Sequence, residues 1–244
     1  MMERPILFSG PMVQAILAGR KTMTRRIAKH IKELNIESYE REEKLFTSWT
    51  VKFEPGFRKI RASHSGGLLT KEEALCFIAN EYCPHGRIGD RLWVREAFGE
   101  VYDICEHPEM DSCPDERWHI EWKYRADSEQ PVIEHGYFTG WKPSIHMPRE
   151  VSRIVLEITD IRIERLQDIS EADALAEGVE PVEIICSRDG EKTAYRDYEF
   201  SGIYPNSPKD SFKSLWRKIN GADSWAANPW VWVVEFKVIQ GGDL

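Results

Sequence analysis

The chain has 244 residues, 41% of them hydrophobic, and a formal net charge of −8, so it is long enough to bury a real core but does not hold nucleic acid through its overall charge. No run approaches the roughly 18 apolar residues of a membrane helix, and Met1-Met2-Glu3-Arg4-Pro5 lacks the apolar stretch of a secretory signal. The five cysteines are irregularly spaced, which argues against a disulfide framework; the expectation is a cytoplasmic protein with reduced thiols and no membrane.

In chain order, Ile6-Leu7-Phe8 is a short apolar start, and Ser9-Gly10-Pro11 reads as a helix entry because a proline in the first turn gives up only an unpaired N–H. Val13, Ile16 and Leu17 share one face of that helix, and Gly19 is placed to end it in a left-handed turn. Residues 33–88 read as polar and irregular, apart from a capping box at Thr70-Lys71-Glu72-Glu73 opening a short helix through Phe77. Leu92–Phe98 and His119–Tyr124 alternate as strands do, on either side of an acidic stretch with seven acids between Glu100 and Glu116, expected to be an exposed, mobile insertion.

A loop over Trp141–Arg149 follows, and then the longest strand pattern, Arg153–Glu164, whose phase resets near Asp160. Ser170-Glu171-Ala172-Asp173 caps a short helix ending at Glu177-Gly178, with Ile169 and Ala174 as its staple. Residues 180–206 read as a second polar insertion. Ser207-Pro208 then opens the cleanest helix, with Phe212, Leu215, Trp216 and Ile219 on one face. Trp230–Ile239 is nearly uninterrupted in apolar residues, as in a strand covered on both faces, and is placed to close the sheet. The pattern predicts one decorated domain of α+β class around a mainly antiparallel sheet.

Residues 20–32 hold Arg20, Lys21, Arg25, Arg26, Lys29 and Lys32 with no acid, the local basic patch that the overall charge requires for any polyanion. Within it, Gly19-x-Lys21-x-x-Thr24-x-Arg26, directly behind a helix ending Ile16-Leu17-Ala18, resembles the signature loop of ASCH domains, of the PUA-like class, commonly written G-x-K-x-x-E-x-R. The resemblance extends to the Gly89-Asp90 turn, the capped helix Asp168–Gly178 and the ending Val233-Val234-Glu235-Phe236. More narrowly the chain is similar to the longer ASCH proteins of phages and prophages, through Arg4–Phe8, Gly89–Glu96, Lys142–Arg149 and Asn228–Trp232. It implies a single ASCH-type domain, a small mainly antiparallel β-barrel flanked by short helices, with loop insertions at about 33–85, 99–118 and 180–206.

Thr24 stands where many ASCH sequences have Glu. Some small bacterial members share this Thr and are amidohydrolases that deacylate N(4)-acetylcytidine with a Lys, this Thr and a Glu; the resemblance places those roles on Lys21, Thr24 and Glu177. A threonine hydroxyl needs a base, and a lysine serves once burial or a cationic neighbour lowers its pKa. Arg20, Arg25 and Arg26 are placed to supply that push, and no cofactor or metal is required. The plain alternative has Lys21 and Arg26 binding phosphate, Thr24 capping the turn and Glu177 solvated at a helix end.

The same resemblance leaves a non-catalytic reading open, in which the partner is a nucleoside or single-stranded RNA stacked on tryptophan. Trp93 and Trp225 are the first choices there, and Arg95, Ser144, His146 and Arg149 are further candidate contacts. Ribonuclease action through Lys21, His146 and Arg149 is a variant of it. A third reading is a zinc-binding accessory protein using Cys83, His85, Cys105, His107 and Cys113, although C-x-H pairs lack the usual zinc spacing. A Ser-His hydrolase is not indicated, since no G-x-S-x-G occurs.

Overall fold

The computed structural model describes residues 1–29, 31–41, 44–53, 56–60, 71–104, 117–134, 136–186, 190–199 and 204–241. The chain runs β1 (Glu3–Leu7), α1 (Gly10–Leu17), β2 (Met23–Ile27), β3 (Ile31–Arg41), β4 (Lys44–Phe53), β5 (Gly56–Ile60), α2 (Lys71–Tyr82), β6 (Arg91–Arg95) and β7 (Phe98–Ile104). It continues through β8 (Arg117–Tyr124), β9 (Tyr137–Phe138), β10 (Val155–Arg165), α3 (Glu171–Ala176), β11 (Pro181–Cys186), β12 (Gly190–Tyr195), α4 (Pro208–Asn220) and β13 (Trp230–Gln240). No helix among the described residues is long and apolar enough to cross a membrane.

Two compact units divide the chain, and the division falls inside β10 and β13. The first holds Met1–Arg20, Asp90–Glu157 and Lys237–Leu244. In it β1 lies parallel to β6, with Ile6 opposite Val94, and β6 pairs antiparallel with the start of β10, Trp93 opposite Val155. Ile6, Leu92, Val94, Ile154 and Leu156 are buried in this unit, while β7 carries β8 on one edge and β9 on the other above Phe98, Met147 and Val151.

The second unit holds Lys21–Gly89 and Ile158–Phe236. Here β13 lies between β10 and β2, its pairing with β2 antiparallel, so that Thr24 faces Val234 in the register and Arg26 faces Trp232. α3, α4 and β13 bury Ile169, Ala174, Phe212, Trp216, Val231 and Val233 together with Met23 and Leu166. Phe212, Leu215 and Trp216 of the α4 stripe and the staple of α3 therefore end in one core, at roughly 1.5–3 kcal/mol for each large side chain removed from water, whereas Ile219, expected on the same face, is exposed.

The structure corrects the expected barrel. The class is α+β, but among the described residues the sheets are mixed and none closes: there β1 pairs only with β6 and β2 only with β13, so each is an edge of the five-stranded sheet. The physical reason is visible at both ends of the chain. The first strand is taken up in parallel beside β6, and β13 is covered only as far as Phe236, with Val238 and Ile239 exposed beyond it.

Other expectations also change. Residues 33–88, read as irregular apart from one short helix, contain the antiparallel strands β3-β4-β5; the expected helix is present as α2 but runs on to Tyr82, and its Thr70 cap lies outside the described residues. Residues 180–206 contain the hairpin β11–β12. The mobile acidic insertion was expected over a stretch of which residues 105–116 lie outside the described residues, while residues 99–104 simply continue β7. Along β10 the burial phase does slip, Ile158 and Ile161 both pointing inward across Thr159 and Asp160.

Candidate functional site

The candidate site lies in the second unit, from Lys21 onward, and three backbone decisions set it up. Gly19, at φ +70°, ends α1 in the left-handed conformation that favours glycine, so the chain leaves the helix as an extended segment from Lys21 onward. That segment is stitched on both sides: Lys21 forms an antiparallel bridge with Glu177, Thr22 N–H donates to the Ala176 carbonyl, and Phe236 N–H donates to the Thr22 carbonyl. α3 is then fixed at both ends. Ser170 Oγ accepts from Asp173 N–H at 3.0 Å, and Gly178, at φ +87°, follows Glu177 at the other end.

A six-residue helix depends on such ends, because it forms too few internal hydrogen bonds to stand alone. Ser170→Ala is expected to lower stability by about 1 kcal/mol, the usual value of an N-cap. Thermal unfolding measures it, and an unchanged Tm would show that α3 is held by packing alone.

On this frame Lys21, Thr24 and Glu177 are all buried, with 1%, 3% and 5% of their surface exposed. Lys21 Nζ donates to Glu177 Oε2 at 2.7 Å and to the Glu177 carbonyl oxygen at 2.8 Å. Glu177 is therefore not a solvated helix-end residue. Burial pulls the Lys21 amine below its ordinary 10.5; the charge and hydrogen bond of Glu177 pull it back up, and Arg26 and Arg25 push it down again. Burial also lowers Arg26, against the attraction of Glu177.

Arg25 faces inward. Its Nη2 meets Glu164 Oε1 at 2.6 Å and Asp173 Oδ2 at 2.8 Å, Nε meets Glu164 Oε1 at 3.1 Å, and Nη1 meets Glu177 Oε1 at 3.4 Å. A planar guanidinium, with donors along several edges, suits this three-carboxylate arrangement better than a lysine would. Arg162 closes the network from β10, pairing with Asp173 at 3.0 Å and Glu164 at 3.2 Å and bonding to Glu235 on β13.

Glu164, Asp173, Arg162 and Glu235 were not singled out by sequence reasoning. One signal was present: Asp173 and Glu177 are four apart on a capped helix and so lie on one face, behind a strand ending in Arg162 and Glu164. Burial pushes the Asp173 carboxyl up, but Arg25 and Arg162 outweigh it and hold that carboxyl below its ordinary 3.8.

Arg20, Trp93, Arg95, Ser144, His146 and Arg149 lie in the first unit. Arg20 is exposed behind Gly19. Trp93 is buried on β6 with the Arg95 guanidinium 4.7 Å above its ring, a cation–π distance. Ser144 and His146 sit in a single helical turn, with His146 exposed, and Arg149 pairs with Glu3 at 2.9 Å. Trp225 belongs to the second unit, where it packs against the α4 core. Of the proposed zinc ligands, Cys105, His107 and Cys113 lie outside the described residues. Among the described residues, no group of three or more His, Cys, Asp or Glu is placed to hold a metal.

The chain matches no protein-family model, no curated protein and no solved structure.

Proposed function

We propose that this is an ASCH-type amidohydrolase that removes the acyl group from N(4)-acylated cytidine, with Lys21 as base, Thr24 as nucleophile and Glu177 as the group that orients Lys21. The observation that carries the reading is the buried Lys21 amine, gripped by Glu177 at 2.7 Å three residues before a buried threonine on β2. A lysine in that setting is costly as a structural residue, since removing an ammonium from water takes several kcal/mol. It is suited to a base whose proton must leave near neutral pH.

The steps balance without any added group. Neutral Lys21 takes the Thr24 hydroxyl proton as Oγ1 bonds to the amide carbonyl carbon. The C–N bond to the base then breaks, and Lys21 returns its proton to the departing exocyclic nitrogen. Water, deprotonated by Lys21, hydrolyses the acyl ester on Thr24; the carboxylic acid departs and Thr24 regains its hydroxyl proton.

The test is the pH dependence of cytidine formation from N(4)-acetylcytidine, followed by absorbance. Because the base must be neutral, the rate is expected to rise with pH through a midpoint below 10.5, the direction in which burial moves Lys21. Glu177→Gln removes the largest influence that holds the proton on Lys21. It is expected to move that midpoint to lower pH while reducing the plateau through loss of orientation. A midpoint that stays in place in Glu177→Gln would reject the assignment of the rising limb to Lys21.

A second reading, a module that holds single-stranded RNA without reacting, draws support from the Arg165 guanidinium 4.4 Å over the Trp230 ring in the same unit. RNA affinity that falls steeply with salt, with no cytidine formed from the acylated nucleoside, would favour it.

A further inference from the structure

Arg25 lies beside the proposed chemistry without being one of its three groups. Its side chain is fully buried, and no substrate contact is needed to account for its donors, which Glu164, Asp173 and Glu177 accept. The two oxygens of Glu177 are divided: Oε2 takes Lys21 at 2.7 Å and Oε1 faces Arg25 at 3.4 Å. A carboxylate gripped from both edges has one orientation, and the grip is as firm as the anchoring of Arg25 itself. That anchoring comes from two other elements, Glu164 on β10 and Asp173 on α3, each held in turn by Arg162.

We infer that Arg25 is a positioning residue for the Lys21 amine, acting through Glu177. The inference rests on the amidohydrolase reading for its purpose, not for its geometry. The amine is gripped by Glu177, just past the end of α3, and feels Arg26 and Arg25 from β2; Arg25 in turn meets Asp173 and Glu164, which Arg162 of β10 pairs with and links to Glu235 of β13. Arg25 acts on the amine twice. It engages part of the Glu177 charge that would otherwise hold the proton on Lys21, and it repels that proton directly. Glu164 acts against it, by occupying the same guanidinium.

The experiment is a direct NMR titration of the Lys21 side chain in the full chain carrying 13C-labelled lysine, with its signal identified by its loss in Lys21→Met. In Arg25→Met the Lys21 midpoint is expected to rise, because a like charge near the amine is removed and the Glu177 carboxylate is left to Lys21. Arg25→Lys keeps the charge without the fork and is expected to give a smaller rise. Glu164→Gln is expected to move the midpoint the opposite way, downward, because it releases Arg25 toward Glu177 and removes a nearby negative charge. These last two variants carry the test if Arg25→Met does not fold.

A merely structural Arg25 would lower stability without this paired, opposite movement. Folded variants whose Lys21 midpoints coincide with that of the unmodified chain would overturn the inference. Wild-type turnover separates the two proposals. Shifts that follow Arg25 in a protein that forms no cytidine would leave the positioning intact and sink the amidohydrolase reading. Turnover with a Lys21 midpoint indifferent to Arg25 and Glu164 would do the reverse.

Discussion

Lys21→Met is expected to reduce cytidine release from N(4)-acetylcytidine by about 10²- to 10⁴-fold, the range usual for a positioned general base. The substitution keeps the volume of the buried stem and removes the amine that carries each proton in the sequence of steps. It also leaves Glu177 Oε2 and the Glu177 carbonyl oxygen without the donor they now share at 2.7 and 2.8 Å. Breaking a buried pair from one side costs about 3–5 kcal/mol, and the lower end applies here because Arg25 still faces Glu177 Oε1. Activity and unfolding are therefore measured on the same preparation. A folded Lys21→Met protein with undiminished turnover would remove Lys21 from the mechanism.

Arg25→Met is the substitution with the largest expected effect on stability. It deletes the cation on which Glu164, Asp173 and Glu177 converge and leaves Arg162 to balance the first two and Lys21 the third, an expected loss of about 3–5 kcal/mol at neutral pH. The pH dependence carries a definite sign. Asp173 is held below 3.8 in the folded chain, so the stability it contributes is present above 3.8 and is lost as pH falls through its folded value. In Arg25→Met that depression is smaller, because only Arg162 and the Ser170 cap are left to hold the Asp173 proton off. The stability gap between the two proteins is thus expected to hold from about pH 7 to about 4 and to narrow only as the pH of urea unfolding is taken below 3.8. A gap that stays constant would mean that the cluster contributes through packing alone.

The sequence carried the local decisions well and the long-range ones poorly. Gly19, Ser170 and Gly178 each announce a helix end because the chemistry of a cap is written within four residues, and the structure places all three at such ends. α4 and β13 are legible for the same reason: their apolar patterns are strong enough to be read without a partner. β3 and β4 are not, because Ile31-Lys32-Glu33-Leu34-Asn35 and its neighbours mix polar and apolar positions, and the match of Leu34 to Val51 or Ile36 to Trp49 exists only once the strands are paired. Closure of the sheet was misread because nothing in Ile6-Leu7-Phe8 reveals that it will pair in parallel with β6.

The site follows the same division. Lys21 and Thr24 stand in a recognisable loop, whereas the meeting of Arg25 with Glu164 and Asp173 spans 139 and 148 positions and is created by the fold.

In the proposed reaction a buried amine and a buried hydroxyl on one short segment cleave an exocyclic amide. Its most direct test is to mix the intact chain, Thr24→Val and Lys21→Met in parallel with N(4)-acetylcytidine and to quantify cytidine and acetate by chromatography. The two products are expected in equal amounts from the intact chain and neither above background from the two variants. No product from the intact chain, or equal product from all three proteins, would contradict it.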